Sequence, residues 1–204
     1  VTFSESVTGV ATTDFALVTT GTLSGASFTS MTGSGTAWNV QLNTGSGSGT
    51  LGLNAAGTTG PAIDLAGNPR TGSLTGQVYN VDNVGPQITA INRLIPTGAV
   101  TGAATVTYEV VFDEPAAGVT QSDVILSTTG VSGAFMQSVT GSGTTWNVVV
   151  NTGTGDGTIR IDANDQSDGP AEDALGNLRT GAFTGPTYTV DKSVPMVTAI
   201  TRMT

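Results

Sequence analysis

Cysteine and histidine are both absent from this 204-residue chain, and lysine and arginine together number six. Without cysteine there are no disulfides and no thiol nucleophile. Without histidine the usual general base and the usual zinc ligands are missing too. Six basic residues against 15 acids, a net charge of −9, provide no phosphate-binding surface, so no nucleic-acid partner is expected. No apolar run approaches the roughly 20 residues of a spanning helix, so no membrane insertion is expected. No leader-type segment is recognisable, and the opening Val1 in place of Met reads as a mature or excised segment. Lys192 is the single lysine, which excludes a lysine crosslink in the first half, and no Asn-x-Ser/Thr sequon occurs.

What the chain does have, it has twice. MTGSGTAWNVQLNTGSGSGTL at 31–51 returns as VTGSGTTWNVVVNTGTGDGTI at 139–159, and DLAGNPRTG returns as DALGNLRTG. Phe3 and Phe112, Asp64 and Asp173, and Pro86 and Pro195 are each 109 residues apart, whereas Trp38 and Trp146 are 108 apart. A period near 110 exceeds a solenoid unit of about 20–50 residues and suits a whole domain of about 100–150.

Within each copy the pattern is that of strands. Val106, Tyr108, Val110 and Phe112 alternate with Thr105, Thr107, Glu109 and Val111; Trp146, Val148 and Val150 alternate with Asn147, Val149 and Asn151. Such period-two runs, separated by TTG, TGSG and TGTGDG turn signals, predict half-buried strands. In the second copy they fall near 87–93, 103–112, 122–128, 133–140, 144–151, 157–162 and 186–191. The first copy places Trp38, Val40, Leu42, Leu51 and Leu53 inward. The expected fold class is all-β, with two tandem β-sandwich domains of about seven strands each. Trp38 and Trp146 are expected in the core, against Phe3 and Phe112.

The run F-[SD]-E-[SP]-x-x-G-V, followed by V-T-G-S-G-T-x-W-N-V, D-x-x-G-N and V-D-x-x-x-P, resembles bacterial immunoglobulin-like repeats of large secreted and cell-surface proteins of adhesin or biofilm type. The resemblance covers Val1–Ile91 once and Gln87–Asp191 again. It implies an immunoglobulin-like fold, an extracellular or cell-surface location, and modules arranged as stalks or filaments, often stiffened by calcium at domain junctions.

The domains are expected at 1–86, lacking its first strand, and at 87–194, complete. Residues 195–204 form a spare first strand, because Met196–Arg202 (MVTAITR) repeats Gln87–Arg93 (QITAINR). Two readings of this phase stay open: a longer array cut at a repeat boundary, or a donor strand. In the second, Met196, Val197, Thr198, Ala199, Ile200, Thr201 and Arg202 complete the first domain of the next subunit, with Val197 and Ala199 on one parity.

Two acidic sets could hold calcium, although no cofactor is required. One is the loop of Asp162, Asn164, Asp165 and Asp168, oxygen-rich as calcium prefers. Its flanks are strands, not helices, and a solvated polar loop is the default reading. The other is present in both copies: Glu5, Asp64 and Asp82, matched by Glu114, Asp173 and Asp191, which could converge at a junction. Alternatively, Asp64 and Asp173 organise the D-x-x-G-N turns. The glycine-rich TGSGSGTL and TGTGDGTI lack the lysine and helix of a phosphate loop and read as hairpins. The acids lie on turns with no loop insertion to build a cleft, so no enzyme is expected. The expected function is a non-catalytic structural repeat segment whose partners are identical subunits or neighbouring repeats. A ligand-binding adhesin module and an accessory domain of a secreted enzyme are the alternatives.

Overall fold

The structure, a computed structural model, describes residues 1–57, 60–164 and 170–203. It divides into two compact units, Val1–Val84 and Gly85–Thr204. Among the described residues the only helical elements are the 3₁₀ turns Thr12–Asp14 and Gln121–Asp123. Among the described residues the first unit contains β1 (Thr2–Thr8), β2 (Phe15–Thr19), β3 (Ser27–Asn43), β4 (Gly49–Ala55), β5 (Ile63–Asp64) and β6 (Val78–Val81). The second contains β7 (Ile88–Ile95), β8 (Val100–Thr101), β9 (Thr105–Phe112), β10 (Ile125–Thr129), β11 (Phe135–Ser142), β12 (Thr145–Asn151), β13 (Gly157–Ala163), β14 (Phe183–Thr184) and β15 (Tyr188–Val190).

In the second unit one sheet has the order β11-β12-β9-β7; the other runs β10-β13-β15-β8, with β14 also on β13. The pairs are antiparallel except β15 with β8, which is parallel. Alternation decides the core: Val106, Tyr108 and Val110 of β9, Val148 and Val150 of β12, Ile159 and Ile161 of β13, and Tyr188 and Val190 of β15 are all 1% exposed or less. Side chains from both sheets thus share one core, the arrangement of a β-sandwich. Tyr108 and Tyr188 meet edge to face at 5.1 Å, and the Tyr108 hydroxyl donates to the Ile159 carbonyl at 2.9 Å. Irregular pairing between Ile88 and Ala90, and again between Arg93 and Ile95, interrupts β7. The buried residues of β7 are therefore Ile88 and Ile91, not Ile88 and Ala90 as simple alternation predicts.

The first unit has sheets β3-β1-β5 and β2-β4-β6. β3 doubles back at Gly35 (φ +62°), as β11 and β12 do at Gly143 (φ +61°), and Ser30 Oγ donates to Gln41 Oε1 across the fold-back at 2.9 Å. Val1 and Trp38 exchange two backbone hydrogen bonds of 2.8 and 2.9 Å, matching the pairing of Val110 with Trp146. β1 therefore begins where β9 is nearly finished. Val40, Leu42 and Leu53 are only half-buried, whereas their counterparts Val148, Val150 and Ile161 are sealed.

The tryptophans depart from expectation. Both are half-buried, and each Nε1 donates within its own hairpin, Trp38 to Gly35 O at 3.3 Å and Trp146 to Gly143 O at 3.2 Å. Any side chain at Gly33 or Gly141 would meet the Trp Cα at 2.6 Å, so these glycines admit the facing strand. Trp146 is one pair from the hairpin end of β12, at the margin of the core rather than its centre. Phe112 is buried at 3% exposure, but Phe3 only partly.

Truncation should read this difference in burial directly. Ile161→Ala is expected to cost about 2–5 kcal/mol, and Leu53→Ala at the matching position clearly less. Urea unfolding monitored by circular dichroism checks this, and equal losses at the two sites would contradict the burial difference.

Candidate functional site

The acids common to both copies build turns. Asp64 Oδ1 accepts from the backbone N–H of Ala66 and of Asn68, both at 2.8 Å, and Oδ2 accepts from Asn68 Nδ2 at 2.8 Å. Asp173 repeats this with Leu175 N at 2.7 Å, Asn177 N at 2.9 Å and Asn177 Nδ2 at 2.7 Å. Glycine comes next at the positive-φ position, Gly67 (+86°) and Gly176 (+84°), which explains the D-x-x-G-N spelling. The Asn68 side chain and backbone, joined by the Ala66 and Gly67 backbone, hold the Asp64 carboxyl below its usual range against the upward push of desolvation. At Asp173 burial pushes upward most strongly, and the Asn177, Leu175 and Gly176 donors together outweigh it, so its pKa is also lowered.

Asp82 accepts from Ser48 Oγ at 2.5 Å and from Val84 N at 3.2 Å, and Asp191 accepts from Ser193 N at 3.1 Å. Each organises the turn that leaves its unit. Glu5 is exposed and shares with Asp64 a shallow cleft of about 180 Å³, which Arg70 also lines; a guanidinium there opposes a cation. Within the second unit a carboxylate oxygen of Glu114 comes within 4.8 Å of one of Asp173.

Asp162 accepts from Ser127 Oγ (2.9 Å), Arg160 Nε (2.8 Å) and Gly185 N (3.1 Å). It stands on β13 between the buried Ile161 and Ala163, so alternation turns it to the outer face beside Arg160. Asn54 does the matching work in the first unit, accepting from Gly76 N at 3.0 Å. The Asn164 carbonyl accepts from Arg179 Nη1 at 3.4 Å. Asp165 and Asp168 lie outside the described residues. Met196–Arg202 is in no strand, with Met196, Val197 and Ile200 82%, 82% and 92% exposed, as befits a strand without a sheet.

A second repeated polar device goes unrecognised in sequence reasoning: a buried acid–arginine pair. Asp14 is fully buried; its carboxylate accepts from Ala11 N at 2.9 Å and Ala62 N at 3.4 Å, with Arg70 Nε at 3.3 Å. Asp123 accepts from Thr120 N at 2.7 Å and Ala171 N at 3.2 Å, with Arg179 Nε 4.0 Å away. Arg70 also donates to Gly72 O at 2.8 Å, and Arg179 to Gly181 O at 2.9 Å. Each pair ties a 3₁₀ turn to the loop after D-x-x-G-N. The signal available in the sequence was that G-N-x-R-T-G keeps its arginine in both copies of a chain with only six basic residues.

The turn acids carry a pH dependence of known sign. Their folded pKa values lie below the unfolded value of about 3.9. The stability they contribute is therefore complete above that value and is lost as pH falls through the folded values. Asp173→Asn should flatten the acid limb of the second unit's thermal stability below about pH 4; an unchanged acid limb would contradict the turn role. No known protein family, no curated protein and no solved structure matches this chain.

Proposed function

We propose that this chain is a non-catalytic structural segment, a pair of immunoglobulin-like repeats from an extracellular bacterial surface stalk or filament, with neighbouring repeats or identical subunits as its partners. One observation carries this reading: both units spend the same polar residues on the same structural work. Asp64 and Asp173 make one turn, Asp14–Arg70 and Asp123–Arg179 make one clasp, and Asn54 and Asp162 hold one loop glycine. A chain whose repeated polar groups are occupied in this way repeats a scaffold. The resemblance to secreted repeat proteins supplies the location. No cofactor is required; calcium, which the acids shared by the two copies could ligate, is an optional part of this reading, and chelation that leaves melting unchanged removes it.

Polymerisation by donation of Met196–Arg202 is the narrower form of this reading; it is supported by the repetition of QITAINR, whose copy in the second unit lies in β7 and pairs with β9 from Ile88↔Phe112 to Ile95↔Thr107. The alternative, a ligand-binding module, is favoured by one feature. Ser127, Thr128, Thr129, Thr158, Arg160 and Thr187 line a shallow groove of about 170 Å³ suited to a polar ligand.

Force spectroscopy on the whole chain tests the reading. A load-bearing repeat should resist and then release in one step, with the second unit yielding about 300 Å of new chain length. Extension without a discrete event would contradict a mechanical role. Specific retention on a glycan array, lost on Arg160→Ala, would favour the binding module.

A further inference from the structure

The two units share their turns and clasps but differ in chemistry on one outer face. In the first unit Val18, Gly52 and Val78 form a row across β2, β4 and β6. Val18 and Val78 are 45% and 62% exposed. The matching row of the second unit is Ser127, Arg160 and Thr187. Ser127 pairs with Arg160, and Thr187 precedes Tyr188, the partner of Ile159. Asn54 changes with them, to Asp162. Asp162 Oδ1 keeps the older task of accepting from the loop glycine, Gly185 N. Its Oδ2, an acceptor where an asparagine would carry a donor, takes Arg160 Nε at 2.8 Å and Ser127 Oγ at 2.9 Å. The threonines around the row stay the same: Thr19, Thr20 and Thr50 return as Thr128, Thr129 and Thr158. Four replacements on one face thus turn an apolar strip into the polar groove of about 170 Å³. Strand pairing does not demand them, since the first unit pairs the same three strands through Val18, Gly52 and Val78.

Arg160 is held in place without being used up. Asp162 engages its Nε; among the described residues no partner meets its two Nη groups, and the side chain is 43% exposed. The Nη donors form a planar fork whose geometry matches a carboxylate. We propose that the groove binds a carboxylate-bearing sugar residue, of the uronic acid class. Arg160 clamps the carboxylate, and Thr129, Thr158 and Thr187 exchange hydrogen bonds with the sugar hydroxyls. No aromatic ring lines the groove, so a neutral sugar has no apolar platform to stack on and the guanidinium is the anchor. The Asp162 carboxylate beside the fork repels a dianion such as phosphate more strongly than a singly charged acid. The inference deepens the binding-module reading of the second unit and rests on it. It is independent of the stalk reading, because a load-bearing repeat can carry a site on its outer face.

The test titrates the full chain with sodium glucuronate, glucose and inorganic phosphate, and follows backbone amides by ¹H–¹⁵N NMR. Glucuronate should shift the amides of Ser127–Thr129, Thr158–Arg160 and Thr187 saturably. The matching amides of the first unit, Val18–Thr20, Thr50–Gly52 and Val78, should stay still. Affinity should exceed that for glucose or phosphate at least tenfold. It should fall at least tenfold in Arg160→Lys, which keeps the charge and loses the fork. The same spectra show whether that variant is folded. Where it is not, Thr187→Val, which installs the first unit's residue, should weaken binding several-fold. Unchanged affinity in the folded variant overturns the proposal. Equal binding of glucose or phosphate overturns the acidic-sugar assignment and leaves a module for other polar ligands. No localised, saturable shift with any of the three compounds overturns the site and the binding-module reading together. The force measurement, and with it the stalk reading, is judged separately in every case.

Discussion

The two-sided pairing of β9 is the constraint on which the second unit depends. β9 is hydrogen-bonded to β12 along one edge and to β7 along the other, and it delivers Val106, Tyr108 and Val110 to the centre of the core. Removing a central strand exposes two backbone edges and uncovers the residues of the opposite sheet. In the first unit the alternation is intact and the hairpins close in the same way, yet Val40, Leu42 and Leu53 stay half in solvent. Strand pattern alone does not bury a side chain. A neighbour on each side and a sheet in front are also needed.

Around that apolar core the units use charge sparingly and at fixed points. Two of the six basic residues, Arg70 and Arg179, sit against buried aspartates, each of which also accepts backbone N–H donors. Such a pair adds little net stability over an apolar substitute, but breaking it leaves a buried charge uncompensated. Its effect is to hold one loop arrangement in each unit. The turn aspartates act similarly at the surface, converting flexible glycine-rich connections into defined corners.

Strand positions in the second unit were legible because every long strand alternates cleanly between glycine-rich turns. The burial of Trp146 was not: parity placed it correctly on the core side, but its nearness to the hairpin end decides how far the opposite sheet covers it. The hydrogen-bonding role of Asp162 was not legible, because its partners Ser127 and Gly185 are 35 and 23 residues away, although its position between two buried residues of β13 turns it outward. The Asp–Arg pairs span 56 residues and leave no local signature beyond repetition. The turn reading of Asp64 and Asp173 could be seen in D-x-x-G-N because the required donors are two and four residues away. The irregularities of β7 could not, since an irregular pairing is set by its partner strand.

Amide hydrogen exchange tests the dependence on β9 most directly. In the second unit, amides throughout Asn147–Asn151 should be protected, since β12 is flanked on both sides. Across Asn39–Asn43 the alternate amides that face the position of β9 should exchange on the order of 100-fold faster, as expected where backbone hydrogen bonds lack a partner. Equal protection along the two segments would contradict the account, because it would mean that the first unit closes its core without the strand on which the second relies.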